Sequence, residues 1–448
     1  MNSLTGKKLL IIGGAFQHCK LVEAAKELGI ITYVTDYLPL DQAPAKQIAD
    51  HYWMYNITEI DAMADKCRQE GIDGVIATSL DACQKPYQKL CEKLGVPCFG
   101  TEAQFKILTD KNLFKAYCRK NGVDVIPEYH VSDFADKATC HQQVAFPILV
   151  KPGESRGSRG QSICNNYEEA VAAISFARSE SSNGEVVIEK YMGQANDFSM
   201  TILMLGGKAY PFRTVDRILG KYEDGLDKLA VGSASPSVFT PLYMENVHDR
   251  VEKLYQDIGL YNAPVFMQGF IDGDTVRFYD PGLRLPGGEY ERMFLAACGK
   301  NPFYPLIEFA LTGEVSRDQF VFAKNDVFLN GKTAGQVLPA LKPGTIRSVE
   351  GMEAIQAHPN VVSAFSRYAV GDTIQPTHNV NQRFCEIDIV CDSNDELKQI
   401  MDWVYDTLVI RDEFGENMIV SRIDTEAILE RSGVVENKKQ EKLACPLK

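Results

Sequence analysis

Short apolar runs alternate with amphipathic stretches along the first hundred residues. KLLIIGG (8–14) is an apolar run closed by glycines. HCKLVEAAKELG (18–29) then places Leu21, Val22, Ala25 and Leu28 on one helical face, with Gly29 past its end. ITYVTD (31–36), IDGVIATS (72–79) and VPCFG (96–100) repeat the apolar theme, the last two each after a helical stretch. Such alternation predicts parallel strands covered by helices. A second region opens with TDKNLFKAYCRKNGV (109–123), a helix with Gly122 beyond it, and turns strand-rich from Ala145 to Asp280. There GG (206–207) and DGD (272–274) mark hairpin turns. After about residue 325 come glycine turns in FLNGKTAG (328–335) and ALKPGTI (340–346), a strand-like RFCEIDIVCD (383–392) and a helix, DELKQIMDWVYDTLV (395–409). The final NKKQEKLACPLK reads as a frayed tail. The expected architecture is mixed α/β and α+β: a doubly wound parallel α/β domain over 1–108, a second unit over 109–325 and a C-terminal α+β domain over 326–448.

Composition narrows the function classes. At 448 residues the chain can bury a large core, and its 45% hydrophobic and 24% charged residues are those of a globular protein. A net charge of −13 with no basic stripe argues against nucleic acid as a partner. No apolar run approaches a membrane span, and MNSLTGKKLLIIGG leads into a glycine turn rather than a cleavage site. Twelve scattered cysteines without a CxxC pair point to reduced thiols and a cytoplasmic location, and make zinc improbable.

Candidate chemistry gathers in four places. GGAFQH (13–18) joins a strand to a helix, and Asp36 ends the next strand; the spacing is not GxGxxG, so the glycines serve the tight turn whatever the domain binds. Lys111 opens a helix and Lys151 ends a buried strand, and PGESRGSRG (152–160) follows at once. Such a loop lays amides and guanidinium forks over phosphates, or is a solvated hairpin loop. VVIEKYMG (186–193) offers a carboxylate, a backbone edge and apolar walls, as an adenine ring requires. FYDPGLRLPGG (278–288) has an acid, an arginine and glycines at the end of a strand. No HExxH and no Ser or Cys nucleophile with a His/Asp signature occurs.

The ordered set Lys111, Lys151, glycine-rich loop, Glu-Lys-Tyr-Met and acid–arginine loop resembles the ATP-grasp superfamily, over essentially the whole chain. LKPGTIRSVEG (341–351), HPNVV (358–362) and YAVGDTI (368–374) resemble the tail domain of its L-amino-acid-ligase-like members. The resemblance implies ATP as cofactor, with Lys111 and Lys151 on its phosphates and Ser155, Arg156, Gly157, Ser158 and Gly160 in a lid above them. It places Glu189 at the adenine amino group, the backbone of Lys190, Tyr191 and Met192 along the ring edge, and Asp197 at the ribose. Asp280 and Gln268 would hold Mg2+ or Mn2+, although Gly282 stands where the family usually has an amide. Arg284, with Lys151, would serve the phosphoryl centre, and Arg213 and Arg217 are further anion contacts or plain surface charge. The implied activity is an ATP-dependent carboxylate–amine ligase acting through an acyl phosphate on small-molecule carboxylates and amines, amino acids among them, as a homodimer. The rivals are carbamoyl-phosphate or purine-type chemistry on the same fold, an ATP-binding module that has lost turnover, and a nicotinamide-dependent oxidoreductase.

Overall fold

The computed structural model describes residues 4–426 apart from 153–160, 182–183, 194–195, 220–228, 289, 317–318, 378 and 421. Four parallel strands open the chain: β1 (Lys8–Ile12), β2 (Ile31–Thr35), β3 (His51–Trp53) and β4 (Gly74–Ile76), in the order β3-β2-β1-β4. Helix α1 (Cys19–Glu27) buries Leu21, Val22, Ala24 and Ala25 against them. At the turn after β1, Gly13 has φ +108°, and a Cβ there would lie 2.4 Å from the buried His18 ring. Glycine is therefore required twice over, by conformation and by space. Burial lowers the His18 pKa to about 4 and keeps the ring neutral.

VPCFG is not a strand. Residues 96–100 form an irregular connection after α4 (Asp81–Leu94), and the buried Phe99 donates its N–H to the Tyr87 hydroxyl at 3.0 Å. The run is apolar because it packs beneath that helix, which periodicity cannot distinguish from strand pairing.

A small antiparallel sheet follows, β5 (Glu128–Tyr129), β6 (Ile148–Pro152), β7 (Ser162–Cys164) and β8 (Val186–Lys190), ordered β5-β8-β6-β7. It shares a core of its own, including Ile148, Val150, Ile174 and Ile188, with the helix Tyr167–Glu180. Helix α6 (Lys111–Lys120) precedes it, capped by Asp110, whose carboxylate accepts from the Asn112 and Leu113 amides.

The largest sheet has eight strands. These are β9 (Asn196–Leu205), β10 (Lys208–Leu219), β11 (Ala230–Ser235), β12 (Ala263–Asp272), β13 (Thr275–Gly282), β14 (Thr333–Val337), β16 (Val361–Ser366) and β18 (Cys385–Cys391). β15 (Gly344–Glu350) pairs elsewhere, with β17 (Thr373–Ile374) on one side and β19 (Val409–Asp412) on the other. The order of the large sheet, β13-β12-β9-β10-β11-β14-β18-β16, runs across the unit boundary expected at residue 325. Both expected hairpin turns form, with Gly206, Gly207 and Gly273 at φ +60°, +75° and +64°. Register sets the chemistry of one face. Gln268 opposes Asp280 on one side and Ser199 on the other; further along, Arg217 opposes Ser233, Ser233 opposes Gln336, and Gln336 opposes Asp388. Directly opposed residues share a face. Among the described residues no helix is long and apolar enough to cross a membrane.

Candidate active site

Between the small sheet and the large one lies a cavity of about 630 Å³. Its wall includes Lys111, Lys151, Glu189, Lys190, Tyr191, Met192 and Asp197, seven residues singled out from sequence. They lie on α6, β6, β8 with the two residues after it, and β9, which the chain visits over almost ninety residues before the sheets bring them to one place. Phe270 and Tyr279, stacked with centroids 5.0 Å apart, add an apolar wall. Volume and lining suit a nucleotide-sized ligand.

Charges in and around this cavity are held in line. Lys151 Nζ lies 2.5 Å from Glu189 Oε2, while Lys115 Nζ lies 2.5 Å from Glu189 Oε1 and 2.5 Å from Glu128 Oε1. Burial pushes the Glu189 carboxyl up, but Lys151 and Lys115 outweigh it and hold the group below the usual range. The Glu189 carboxylate thus grips two lysines, and the backbone that follows it forms the rest of this wall. That backbone has an unusual edge. Lys190 N–H donates to the Pro127 carbonyl and Tyr191 N–H to the Pro147 carbonyl, both at 2.9 Å. An antiparallel ladder would return a donor from each opposed residue, and proline has none. The Lys190 and Tyr191 carbonyls thus face positions that cannot donate to them. The Lys190 ammonium itself pairs with Asp272 at 2.9 Å.

Asp197 is half-committed. Arg217 Nη1 lies 2.5 Å from its Oδ2, whereas Oδ1 is buried without a partner. Burial raises its carboxyl above the usual range, and Arg217 opposes the rise without cancelling it. A ribose hydroxyl donating to Oδ1 would relieve the cost of that orphaned oxygen.

At the far end Lys111 Nζ sits 3.2 Å from Asp280 Oδ1. Gln268 directly opposes Asp280, so a carboxylate and an amide share one face. Among the described residues no group of three or more His, Cys, Asp or Glu side chains could cage a metal. Two hard oxygens fit a Mg2+ whose remaining ligands are phosphates and water, as that ion ordinarily binds. Gly282 adds no ligand, and a Cβ there would come 3.3 Å from Arg284 Cγ.

Arg284 is engaged just outside this cavity. Its guanidinium grips both oxygens of Asp81 at the start of α4, donates to the Leu285 carbonyl at 3.1 Å and stacks on Phe266. It does not line the nucleotide cavity. Arg213 is not surface charge: it is buried, with Nη1 donating to Ser199 Oγ at 3.1 Å. Ser155, Arg156, Gly157, Ser158 and Gly160 lie outside the described residues. At the first turn Asp36 holds the backbone around it. Its two oxygens accept from the Gly14 and Leu38 amides at 2.9 and 2.8 Å, leaving a structural carboxylate. Sequence reasoning missed Lys115, although Lys111, Lys115 and Cys118 share a helical face by spacing.

Two family models match the chain. "Carbamoyl-phosphate synthase L chain, ATP binding domain" covers residues 110–204, which carry the cavity lysines and Glu189, and "L-amino acid ligase C-terminal domain 2" covers residues 336–413. Each match is to one segment of the chain, the first in the unit that carries the cavity and the second in the C-terminal unit. A 2-oxoglutarate carboxylase small subunit from Hydrogenobacter thermophilus is 25% identical over 57% of this chain and 57% of its own length. A formate-dependent phosphoribosylglycinamide formyltransferase from Haloquadratum walsbyi is 27% identical over 43% and 48%. The chain thus spans about half the length of these relatives. Among solved structures, the phosphoribosylglycinamide synthetase of Anaerococcus prevotii superposes with TM-score 0.74, 18% identity, and 91% and 100% coverage of this chain and its own. The L-amino acid ligase of Bacillus licheniformis gives 0.72, 17%, 91% and 99%. The biotin carboxylase domain dimer of the H. thermophilus 2-oxoglutarate carboxylase, in complex with MgADP and bicarbonate, gives 0.71, 18%, 98% and 95%. These likenesses establish a fold shared with those three proteins.

Proposed function

We propose that the chain is an ATP-dependent ligase joining a small-molecule carboxylate to an amine, with an amino acid as one substrate. The observation that carries the reading is the convergence of Lys111, Lys151, the 189–192 edge and Asp197 on one cavity, with Asp280 tied to it by Lys111. ATP binds with adenine against the Lys190 carbonyl edge, ribose at Asp197, and phosphates running past Lys151 toward Lys111. Phosphate displaces Asp280 from Lys111 and Glu189 from Lys151, exchanging one set of charge-assisted contacts for another. Asp280 and Gln268 would hold Mg2+, which supplies charge neutralisation of the phosphates. A carboxylate oxygen of the first substrate attacks the γ-phosphorus, the bond from phosphorus to the β-bridging oxygen breaks, and ADP leaves with the electron pair. The amine of the second substrate then attacks the acyl carbon, and phosphate departs as the amide forms and the nitrogen loses its proton. The chain itself supplies positioning and charge, with no protein nucleophile.

The amino-acid reading draws on the matched C-terminal model, and a homodimer in the cytoplasm completes it. Arg284 serves the phosphoryl centre once it leaves Asp81. Hydroxylamine tests the central step: with ATP, Mg2+ and the right carboxylate it should trap the acyl phosphate as a hydroxamate. ATP consumption with no hydroxamate from any carboxylate tried would reject the acyl-phosphate route.

A further inference from the structure

Helix α6 runs from the cavity described above to a second one. Lys111 lines the first; Lys115, one turn on, is buried; Arg119, a further turn on, lines the second. Eight residues of helix separate the two ends, about 12 Å along its axis. The second cavity has a volume of about 610 Å³. Its walls are Arg119, Arg277 and the segment that follows α6, and Ile126 of that segment lines both cavities. The reaction proposed above makes no use of it.

Two chains of ion pairs join the cavities. In the first, Arg119 pairs with Glu128, Glu128 with Lys115 at 2.5 Å, Lys115 with Glu189 at 2.5 Å and Glu189 with Lys151 at 2.5 Å. In the second, Arg277 Nε donates to Asp272 Oδ2 at 2.7 Å, and Lys190 Nζ reaches the same oxygen at 2.9 Å. Each chain begins at an arginine in the second cavity and ends at a lysine that lines the first. The acids of the second cavity are already engaged, Glu128 as above and Asp124 by Arg250 at 3.4 Å. Among the described residues Glu128 is the only hydrogen-bond or ion-pair partner of Arg119, and Arg277 spends Nε on Asp272 and Nη1 on the Val125 carbonyl, leaving Nη2. Both guanidinium groups therefore keep donors for an arriving anion. Val125, Ile126 and Pro127 add an apolar surface beside them.

We propose that this second cavity binds a small molecule with an apolar body and one anionic head, a carboxylate or a phosphate monoester, and that its occupation weakens ATP binding in the first. An anion at Arg119 draws that side chain off Glu128. Glu128 is left with Lys115 alone and attracts it more strongly, Lys115 shifts away from Glu189, and Glu189 holds Lys151 more tightly. Lys151 is the lysine that an ATP phosphate must take from Glu189. The two ligands thus oppose each other, and by linkage each weakens the other by the same factor. Lys115, leaning to Glu128 or to Glu189, is the element whose balance both ligands bias. The coupling rests on the reading of the first cavity as the ATP site; the binding does not.

Equilibrium dialysis of the full chain against phenyl phosphate and 3-phenylpropionate distinguishes the two heads, with benzyl alcohol as the neutral control. At least one anion should bind saturably and the alcohol should not. Arg119→Ala and Arg277→Met should each raise the Kd of that anion about tenfold or more, the loss of one charge-assisted contact. Arg277→Lys keeps the charge without the fork and covers the case in which Arg277→Met does not fold. A non-hydrolysable ATP analogue with Mg2+ is then titrated at rising anion concentration. Its Kd should rise about fivefold or more and level off once the second cavity is full. Glu128→Gln should leave the anion bound and abolish that rise. Binding of neither anion, binding indifferent to both arginines, or an analogue Kd that stays constant overturns the proposal. So does a Kd that climbs without limit, which is direct competition in the first cavity. An anion that binds through both arginines to a chain that binds no ATP analogue would instead overturn the reading of the first cavity and leave the second site standing.

Discussion

Replacing Glu189 with glutamine should loosen the small sheet from within. The carboxylate is 4% exposed and meets two ammonium groups at 2.5 Å, one of them on Lys115, whose side chain is 3% exposed. Removing one member of a buried ion pair costs about 3–5 kcal/mol when its partner is left stranded. Glutamine keeps an acceptor oxygen and Lys115 keeps Glu128, so the expected cost is lower, about 2–3 kcal/mol. Both tryptophans, Trp53 and Trp403, lie outside this sheet, so global fluorescence is the wrong probe. Hydrogen exchange of the β6 and β8 amides reads the local opening directly. It should accelerate roughly 30- to 150-fold, the factor equivalent to about 2–3 kcal/mol. The pH sign follows from the lowered carboxyl: its contribution is full above the ordinary glutamate value of 4.5 and is lost as pH falls through the lower folded value. The gap between wild type and variant should therefore close in acid. Exchange within about twofold of wild type at pH 7, or a gap that widens in acid, would refute the reasoning.

Two further variants separate the layers of the account. Lys151→Ala should weaken ATP binding about tenfold or more, the loss of one charge-assisted phosphate contact, whereas Arg284→Ala should leave affinity within about twofold and slow acyl-phosphate formation; normal turnover by Arg284→Ala would misplace the phosphoryl centre. Asp36→Ala removes the acceptor for the Gly14 and Leu38 amides and should cost about 1–2 kcal/mol of stability in urea unfolding, with ATP affinity unchanged.

What the sequence shows and hides divides along physical lines. Strand and helix identity in the first hundred residues is legible because a one-sided apolar face leaves a periodicity, and the two hairpins of the large sheet are legible because glycines must sit at positive φ. VPCFG misleads because an apolar run reports burial, not a pairing partner. The cavity residues are legible as an ordered set, one element at a time. Their counter-charges are not: that Lys115 bridges Glu189 to Glu128, that Asp81 grips Arg284, and that Arg213 is buried all depend on contacts between segments distant in the chain. CEIDIVC did carry a local signal. Acids two apart, with apolar residues between them, place Glu386 and Asp388 on one face of a strand that is buried throughout. Only sheet register shows that this face continues to Asp280.

FYDPGLRLPGG divides into two halves. Asp280 is tied to the cavity through Lys111, while Gly282 leaves room for Arg284 to fold back onto Phe266 and Asp81. The measurement that tests the account most directly is phosphate release from ATP with Mg2+ or Mn2+ across single and paired amino acids, with Asp280→Ala alongside. The account predicts release that depends on a particular pair and disappears in the variant. Release that ignores the added amino acids, or that survives Asp280→Ala undiminished, would contradict it.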